Sequence, residues 1–169
     1  MIKLLITLIA AVVASVEPHS IPRKVLGQFR KEGAFEGGRP IPAHLEKIRF
    51  AFHRSGGYER WVLEFSDENR KSSVAPKFLL RYLPPSSENR SPRFILSLRS
   101  IKQSFLKLDR IKRSLAKSQI IRDVIVYPPI EDGDMSLELI LKEEVLFEPH
   151  QPLETQGKLV LDLKPLRLS

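Results

Sequence analysis

The sequence predicts an all-β protein: a two-sheet β-sandwich made of two repeated four-strand units, with one bridging amphipathic helix. Three observations support this fold class. Apolar and polar residues alternate with a period of two in two separate segments, both segments contain a glycine turn at the same place, and a stretch of helical period lies between them. The predicted boundaries are 45–99 for copy one, 101–118 for the helix and 120–165 for copy two. Because each copy has one apolar side, we expect the copies to bury these sides against each other.

The first 16 residues resemble a cleavable bacterial secretory signal. Lys3 is followed by an uncharged apolar run over 4–13 and then by the small residues Ala14 and Ser15. The apolar stretch 4–16 is shorter than the roughly 20 residues of a membrane-spanning helix. The sequence therefore predicts a periplasmic or secreted protein, and an uncleaved membrane anchor is the alternative.

Residues 17–43 are rich in proline and glycine and show little periodicity. This composition predicts an irregular N-terminal arm, with a short turn of helix near 25–31.

Copy one contains four alternating segments. Ile48, Phe50 and Phe52 precede a turn at Gly56 and Gly57. The apolar residues of the three later segments are Trp61, Leu63 and Phe65, then Phe78, Leu80 and Tyr82, then Phe94, Leu96 and Leu98. Each segment predicts a strand with one apolar side, and the parity of Trp61 places it in the core.

The segment 101–118 has the period of a helix. Ile101, Phe105, Leu108, Ile111 and Leu115 recur at spacings of four and three, and no proline or glycine interrupts them. The opposite side is cationic, with Lys102, Lys107, Arg110, Lys112, Arg113 and Lys117. Such a face suits an anionic membrane surface, and the alternative is a connecting helix whose cations are simply solvated.

Copy two repeats copy one at a distance of 76 positions. Gly57 corresponds to Gly133, Trp61 to Leu137 and Leu63 to Leu139. The final strand 94–99 corresponds to 159–164, which a shorter loop precedes in copy two. In that last strand Leu159, Leu161 and Leu163 are predicted to face the core, whereas Asp162 is predicted to face solvent.

The charge is unevenly distributed. Residues 15–119 carry 22 Lys/Arg against 10 Asp/Glu, whereas residues 120–169 carry 5 against 10. The basic half favours an anionic partner such as a cell-wall polymer or lipid head groups, and export argues against nucleic acid. Attraction between the two halves of the chain is the simpler explanation.

The segment 121–165, from "IRDVIVYPPIEDGD" to the closing "GKLVLDLKP", resembles the AMIN domain. This domain precedes the catalytic domain in periplasmic N-acetylmuramoyl-L-alanine amidases and also occurs in pilus secretins. The stretch "GKLVLDL" carries most of the resemblance, and copy one is a weaker match. The resemblance implies a β-sandwich of two symmetric sheets that binds peptidoglycan or an envelope partner. A basic helix between the halves is not usual in the family, and no enzyme or secretin domain follows the repeat in this sequence.

The outward residues of copy one form the candidate binding site. Arg49, Arg60, Arg81 and Arg99 share strand parity, and Tyr58 is near them in sequence. Guanidinium groups pair with carboxylates in two-pronged geometry, and the peptide stems of peptidoglycan supply carboxylates. If their strands are neighbours, these residues make one ligand-binding cluster.

The sequence provides little for catalysis. It contains no cysteine, no pair of histidines at metal-ligand spacing and no Gly-x-Ser-x-Gly motif. Glu131, Asp132 and Asp134 around Gly133 are read as a hairpin turn in preference to a calcium site. We therefore expect no enzyme, no cofactor and no metal. The expected function is peptidoglycan binding at the cell envelope, and the alternative is a structural or docking subunit of a pilus or secretion assembly that contacts only protein.

Overall fold

A computed structural model describes residues 17–22, 27–72, 74–152 and 157–166, so the predicted signal at 1–16 lies outside the described residues. Within the described ranges, eleven strands and one helix are present. In chain order they are β1 (His19–Ser20), β2 (Ala34–Gly37), β3 (Ala43–His53), β4 (Tyr58–Ser66), β5 (Phe78–Leu83), β6 (Arg93–Leu98), β7 (Ile101–Ser104), α1 (Leu108–Leu115), β8 (Ile121–Tyr127), β9 (Met135–Leu141), β10 (Val145–His150) and β11 (Lys158–Pro165).

The strands form two sheets, and this confirms the predicted all-β sandwich. Sheet 1 has the order β1-β2-β5-β6-β9-β8, and sheet 2 has the order β10-β11-β4-β3-β7. Each sheet therefore contains a hairpin from copy one and a hairpin from copy two, joined by the pairs β6–β9 and β4–β11. The two copies are interleaved, and neither copy makes a sheet by itself.

The strand registers match the repeat that the sequence predicts. Leu161 of β11 lies opposite Trp61 of β4, and their counterparts Leu96 and Leu137 lie opposite each other in sheet 1. Exchanging the two copies converts the order β5-β6-β9-β8 into β10-β11-β4-β3, which is the order of sheet 2. The sandwich thus has an internal two-fold relation between its sheets.

The turn glycines of the two copies share a conformation that favours glycine. Gly57 has a φ of +62° and Gly133 a φ of +75°, in the left-handed region where a side chain is costly. Gly133 also accepts a hydrogen bond from the amide of Ile101 at 2.7 Å. The matching glycines therefore fix equivalent turns between β3 and β4 and next to β9.

Aromatic rings fill the space between the sheets. The Phe147 ring of β10 lies 4.8 Å from the Phe94 ring of β6 and 5.3 Å from the Tyr82 ring of β5. Trp61 is buried, as its parity predicts, and stacks on Phe50 with ring centroids 5.7 Å apart. These contacts hold the two layers together by burying apolar surface.

The predicted helix 101–118 is too long. Residues Ile101–Ser104 form β7, which pairs in parallel with the beginning of β3, and the helix occupies Leu108–Leu115. The backbone N–H and C=O groups at the beginning of β3 need hydrogen-bond partners. The strand β7 supplies these partners, whereas a helix in its place would not. Ile111 and Leu115 are buried as predicted, whereas Leu108 is 42% exposed. The helix packs against β3 and β8, and so it bridges the two copies.

The arm predicted as irregular contains strands. β2 pairs with β5 and β1 with β2, so the arm supplies the two outermost strands at one side of sheet 1. Arg30 exchanges two backbone hydrogen bonds of 2.8 Å with Phe147 at the edge of sheet 2. Unpaired edges gain hydrogen bonds by such additions, a benefit that composition alone does not reveal. Of the helical turn predicted near 25–31, residues 25 and 26 lie outside the described residues, and residues 27–31 are not helical.

Candidate functional site

The structure separates the five predicted site residues. Arg49 lies on β3, and Arg60 and Tyr58 lie on β4, in sheet 2. Arg81 lies on β5 and Arg99 follows the last residue of β6, in sheet 1. The outer faces of a sandwich point in opposite directions, so the predicted single cluster is wrong. The reason is the interleaving, because it places the two hairpins of copy one in different sheets.

Arg60 is engaged in a structural ion pair. Its Nε and Nη2 donate to the two carboxylate oxygens of Asp162, each at 2.7 Å. The hydrogen bond that the Arg60 guanidinium donates to Asp162 raises the pKa of Arg60, against the opposing effect of burial. Asp162 is 1% exposed, so the expectation that it faces solvent is also wrong. The Nε and Nη2 donors of Arg60 are therefore already engaged by this buried carboxylate.

The outer face of sheet 2 is covered around this ion pair. Glu148 and His150 of β10 are buried beside Asp162. The Phe29 ring of the arm lies 6.2 Å from the Tyr58 ring and 6.0 Å from Nζ of Lys164. Burial lowers the pKa of His150, opposed by the charges of Asp162 and Glu148 and assisted by Arg60. The part of this face that β10 and β11 form is therefore closed to a large ligand, whereas most outward residues of β3 and β4 are exposed or half-buried.

Tyr58 and Arg49 also have partners within sheet 2. The Tyr58 ring stacks on His53 with centroids 4.9 Å apart, and its hydroxyl accepts from Arg60 at 3.4 Å. Arg49 forms an ion pair with Glu64, which also pairs with Lys47 at 3.0 Å. Because both groups are satisfied inside the protein, they are weak candidates for ligand contacts.

The outer face of sheet 1 is open, and we call it the open face. Its side chains alternate with the core residues of β5, β6, β8 and β9, and all but Glu138 are exposed or half-buried. The apolar members are Leu79, Leu83, Ile95, Ile125, Tyr127 and Ile140. Arg81 and Arg99 are exposed, and neither forms an ion pair with a residue that the structure describes. Two of the four predicted arginines thus lie on an uncovered and partly apolar surface.

A polar network occupies the centre of the open face. Arg93 of β6 forms an ion pair with the buried Glu138 of β9, and the Tyr127 hydroxyl donates to the other Glu138 oxygen at 3.2 Å. The hydrogen bond to the carboxylate raises the pKa of Tyr127. The hydrogen bond to Glu138 holds the Tyr127 ring in place. Because Tyr127 is 49% exposed, part of the ring remains available to a ligand. Arg93 was not among the predicted residues, although its outward parity in "RFILSL" equals that of Arg99.

Cations of α1 and of the turn that follows it line a groove beside β3. Arg110, Arg113 and Lys117 lie along it, together with Phe50 and Phe52. The buried Ile111 and Leu115 attach the apolar side of the helix to the protein itself. This packing favours the connecting role for the helix over insertion of that side into a membrane.

Neither a metal-ligand cluster nor a membrane-spanning helix occurs in residues 17–22, 27–72, 74–152 and 157–166. Within those ranges, no group of three or more His, Cys, Asp and Glu side chains is placed to hold a metal ion. In the same ranges, no helix combines the length and apolar character needed to cross a bilayer.

Comparisons with known proteins leave the family open. No protein-family model matches the chain, and no curated protein is significantly similar to it. The resemblance to the AMIN domain therefore stays a prediction from the sequence.

Proposed function

We propose that the protein is an exported, non-catalytic domain of the cell envelope that binds peptidoglycan through the open face of sheet 1. The observation that carries this proposal is the contrast between the two outer faces. Sheet 2 buries Asp162, Glu148 and His150 under other residues, whereas sheet 1 presents apolar side chains and a half-exposed tyrosine. An uncovered apolar surface of this kind usually marks an interaction site.

The chemistry of the open face suits a glycan that carries carboxylates. The Tyr127 ring and the aliphatic side chains offer a flat apolar surface for the C–H faces of sugar rings. Arg81 and Arg99 supply guanidinium groups for the carboxylates of the peptide stems. The Arg93–Glu138 pair holds Tyr127 in position, so little conformational freedom is lost on binding.

Retention of the mature protein on insoluble peptidoglycan tests this proposal. The double variant Arg81→Gln/Arg99→Gln should retain its fold, because exposed substitutions change stability by about 0.5 kcal/mol or less. We expect its retention to fall several-fold and to depend less on salt than that of the wild-type protein. Tyr127→Ser should weaken retention independently of salt.

Arg49→Gln is the matched control, since Arg49 is also exposed but lies on the opposite sheet. This variant should bind peptidoglycan as the wild-type protein does. Equal retention of the control and the open-face variants would refute the assignment of the site to sheet 1. No retention of the wild-type protein at low salt would refute peptidoglycan binding itself and favour the alternative of a subunit that contacts only protein.

A further inference from the structure

The second half of β3 has an open edge. β7 pairs with β3 at residues 43–45, and the amide of Phe105 then donates to the Leu45 carbonyl at 2.9 Å. Beyond a register shift at Glu46, residues 48–53 pair with β4 and with no other described strand. One side of this segment is therefore available for another strand.

The hydrogen-bonding groups of the open edge can be assigned from the ladder. The amide of Phe65 on β4 donates to the Gly157 carbonyl at 2.7 Å, away from β3. Successive residues of an antiparallel strand direct their N–H and C=O groups to opposite sides. Leu63 and Trp61 lie two and four positions before Phe65, so their N–H and C=O groups also point away from β3. Their opposite residues, Ile48 and Phe50, consequently direct their N–H and C=O groups to the open side.

This edge has only part of the protection that sheet edges usually have, namely the register shift at Glu46 and the exposed cations Lys47 and Arg49. Natural edges are blocked by proline, by bulges, by charged side chains or by a covering helix or loop. β8 has the equivalent register shift, between Ile121 and Asp123, and is followed in addition by Pro128 and Pro129. Residues 48–53, with the sequence IRFAFH, contain no proline and pair with β4 in a regular register.

The open edge forms one wall of the groove beside α1. The cavity there has a volume of about 880 Å³. It adjoins a second cavity of about 310 Å³, which lies between Ile48 and Ile111. Six residues of β3 extend for roughly 17–20 Å, which is the length over which an extended peptide can pair with this edge.

The side chains of the groove indicate the chemistry of the occupant. Phe52 is 47% exposed, and with Phe50 it offers an apolar floor. Arg110, Arg113 and Lys117 form the rim, and none of them has an ion pair with a described residue. Glu46, at one end of the groove, is already paired with Arg70 at 2.7 Å. An occupant with carboxylates and alternating apolar side chains matches this charge and this floor.

We propose that the open edge of β3 binds an extended acidic segment of a partner protein, which adds as a further strand of sheet 2 alongside α1. Strand addition obtains affinity from main-chain hydrogen bonds and specificity from alternate side chains. Carboxylates of the segment pair with Arg110 and Arg113, while its apolar residues contact Phe50 and Phe52. This surface is separate from the open face of sheet 1, so the proposal does not depend on peptidoglycan binding.

A synthetic peptide tests the proposal on the full mature chain. The probe is a fluorescent ten-residue peptide of alternating Glu and Val with blocked ends, and its partner probe has Lys in place of Glu. We expect the acidic peptide to bind and the basic one to bind at least tenfold more weakly. Arg110→Gln/Arg113→Gln should weaken binding of the acidic peptide several-fold, whereas Arg81→Gln/Arg99→Gln should leave it unchanged. Retention on peptidoglycan should change the other way: Arg81→Gln/Arg99→Gln should weaken it, whereas Arg110→Gln/Arg113→Gln should leave it unchanged.

Main-chain pairing is tested separately by N-methylation. Two versions of the acidic peptide are methylated at alternate amides, one at every Val and the other at every Glu. Only one of these sets faces β3, so one version should lose binding and the other should keep it. Hydrogen exchange at the amides of Ile48 and Phe50 should slow when the unmethylated peptide is present. Equal binding by both methylated peptides, or no binding of the parent acidic peptide, would overturn the proposal.

Discussion

Asp162 and Arg60 form a pair in which the two members are unequally buried. The Asp162 side chain is 1% exposed, whereas that of Arg60 is 26% exposed. A buried carboxylate has lost its hydration. If its cation is removed, nothing compensates for that loss, and an unpaired charge is left in the interior. A guanidinium that reaches solvent recovers hydration when its partner is removed. The two residues should therefore respond differently to substitution.

We predict that Arg60→Gln destabilises the protein by about 3 kcal/mol or more. Asp162→Asn should cost less, about 1–2 kcal/mol, because Arg60 can turn to water and the amide retains an acceptor. Urea unfolding of the two variants and the wild-type protein measures both changes. A larger loss for Asp162→Asn, or no loss for either, would contradict this account of the pair.

Glu138 shows that corresponding outward positions of the two copies differ in residue type and burial between the two sheets. It is buried beneath Arg93 and Tyr127 on a face that is otherwise uncovered. Its counterpart 76 positions earlier is Val62, which is half-buried. The repeat thus preserves the backbone and the core while the outward residues differ, and those differences distinguish the two faces chemically.

At the scale of elements, the alternating strands were predictable and the ends of the helix were not. The side-chain period of a strand is a local property, so Trp61, Leu63 and Leu161 are buried as predicted. The pattern of apolar and polar residues in the segment 101–104 is compatible with a helix and with a strand. The segment forms a strand because it pairs with the start of β3. That pairing brings together residues about 58 positions apart, which no local period reports.

The candidate site was predictable in part for the same reason. Parity placed Arg81 and Arg99 outward, and both are exposed. Parity does not say which sheet a strand joins, so it could not separate these residues from Arg49. It also could not show that Asp162 is buried between β10 and β4. Neighbouring strands, not the residues themselves, determine which outward side chains are available.

The revised helix makes a testable prediction about two leucines. Leu115 is 5% exposed against β8 and β3, whereas Leu108 is 42% exposed. Leu115→Ala should cost about 2–4 kcal/mol of unfolding free energy, because it removes buried methyl groups. Leu108→Ala, the matched control, should change it by about 0.5 kcal/mol or less. Similar losses measured by urea unfolding would restore the longer helix, in which both leucines face the core.

At the scale of the whole molecule, stability depends on both copies at once. The pairs β4–β11 and β6–β9, at the centres of the two sheets, each join one strand of copy one to one strand of copy two. A single copy would expose the apolar sides of its strands and leave an unpaired edge in the middle of each sheet. The internal two-fold relation is therefore also a mutual dependence in folding.

Fragments 17–117 and 118–169 test this dependence. We expect each fragment alone to lack a cooperative unfolding transition, since neither completes a sheet, and an equimolar mixture to recover the strand signal in circular dichroism. Trp61 is the single tryptophan of the chain and is 1% exposed opposite Leu161, so its fluorescence should shift to the blue as the fragments associate, with an end point at one to one. Fragment 118–169 carrying Leu161→Asp is the control. It should fail to produce the shift, because it would place a carboxylate against the indole in the core at a cost of several kcal/mol. A blue-shifted Trp61 in fragment 17–117 alone would show that copy one folds by itself, and that result is incompatible with interleaved sheets.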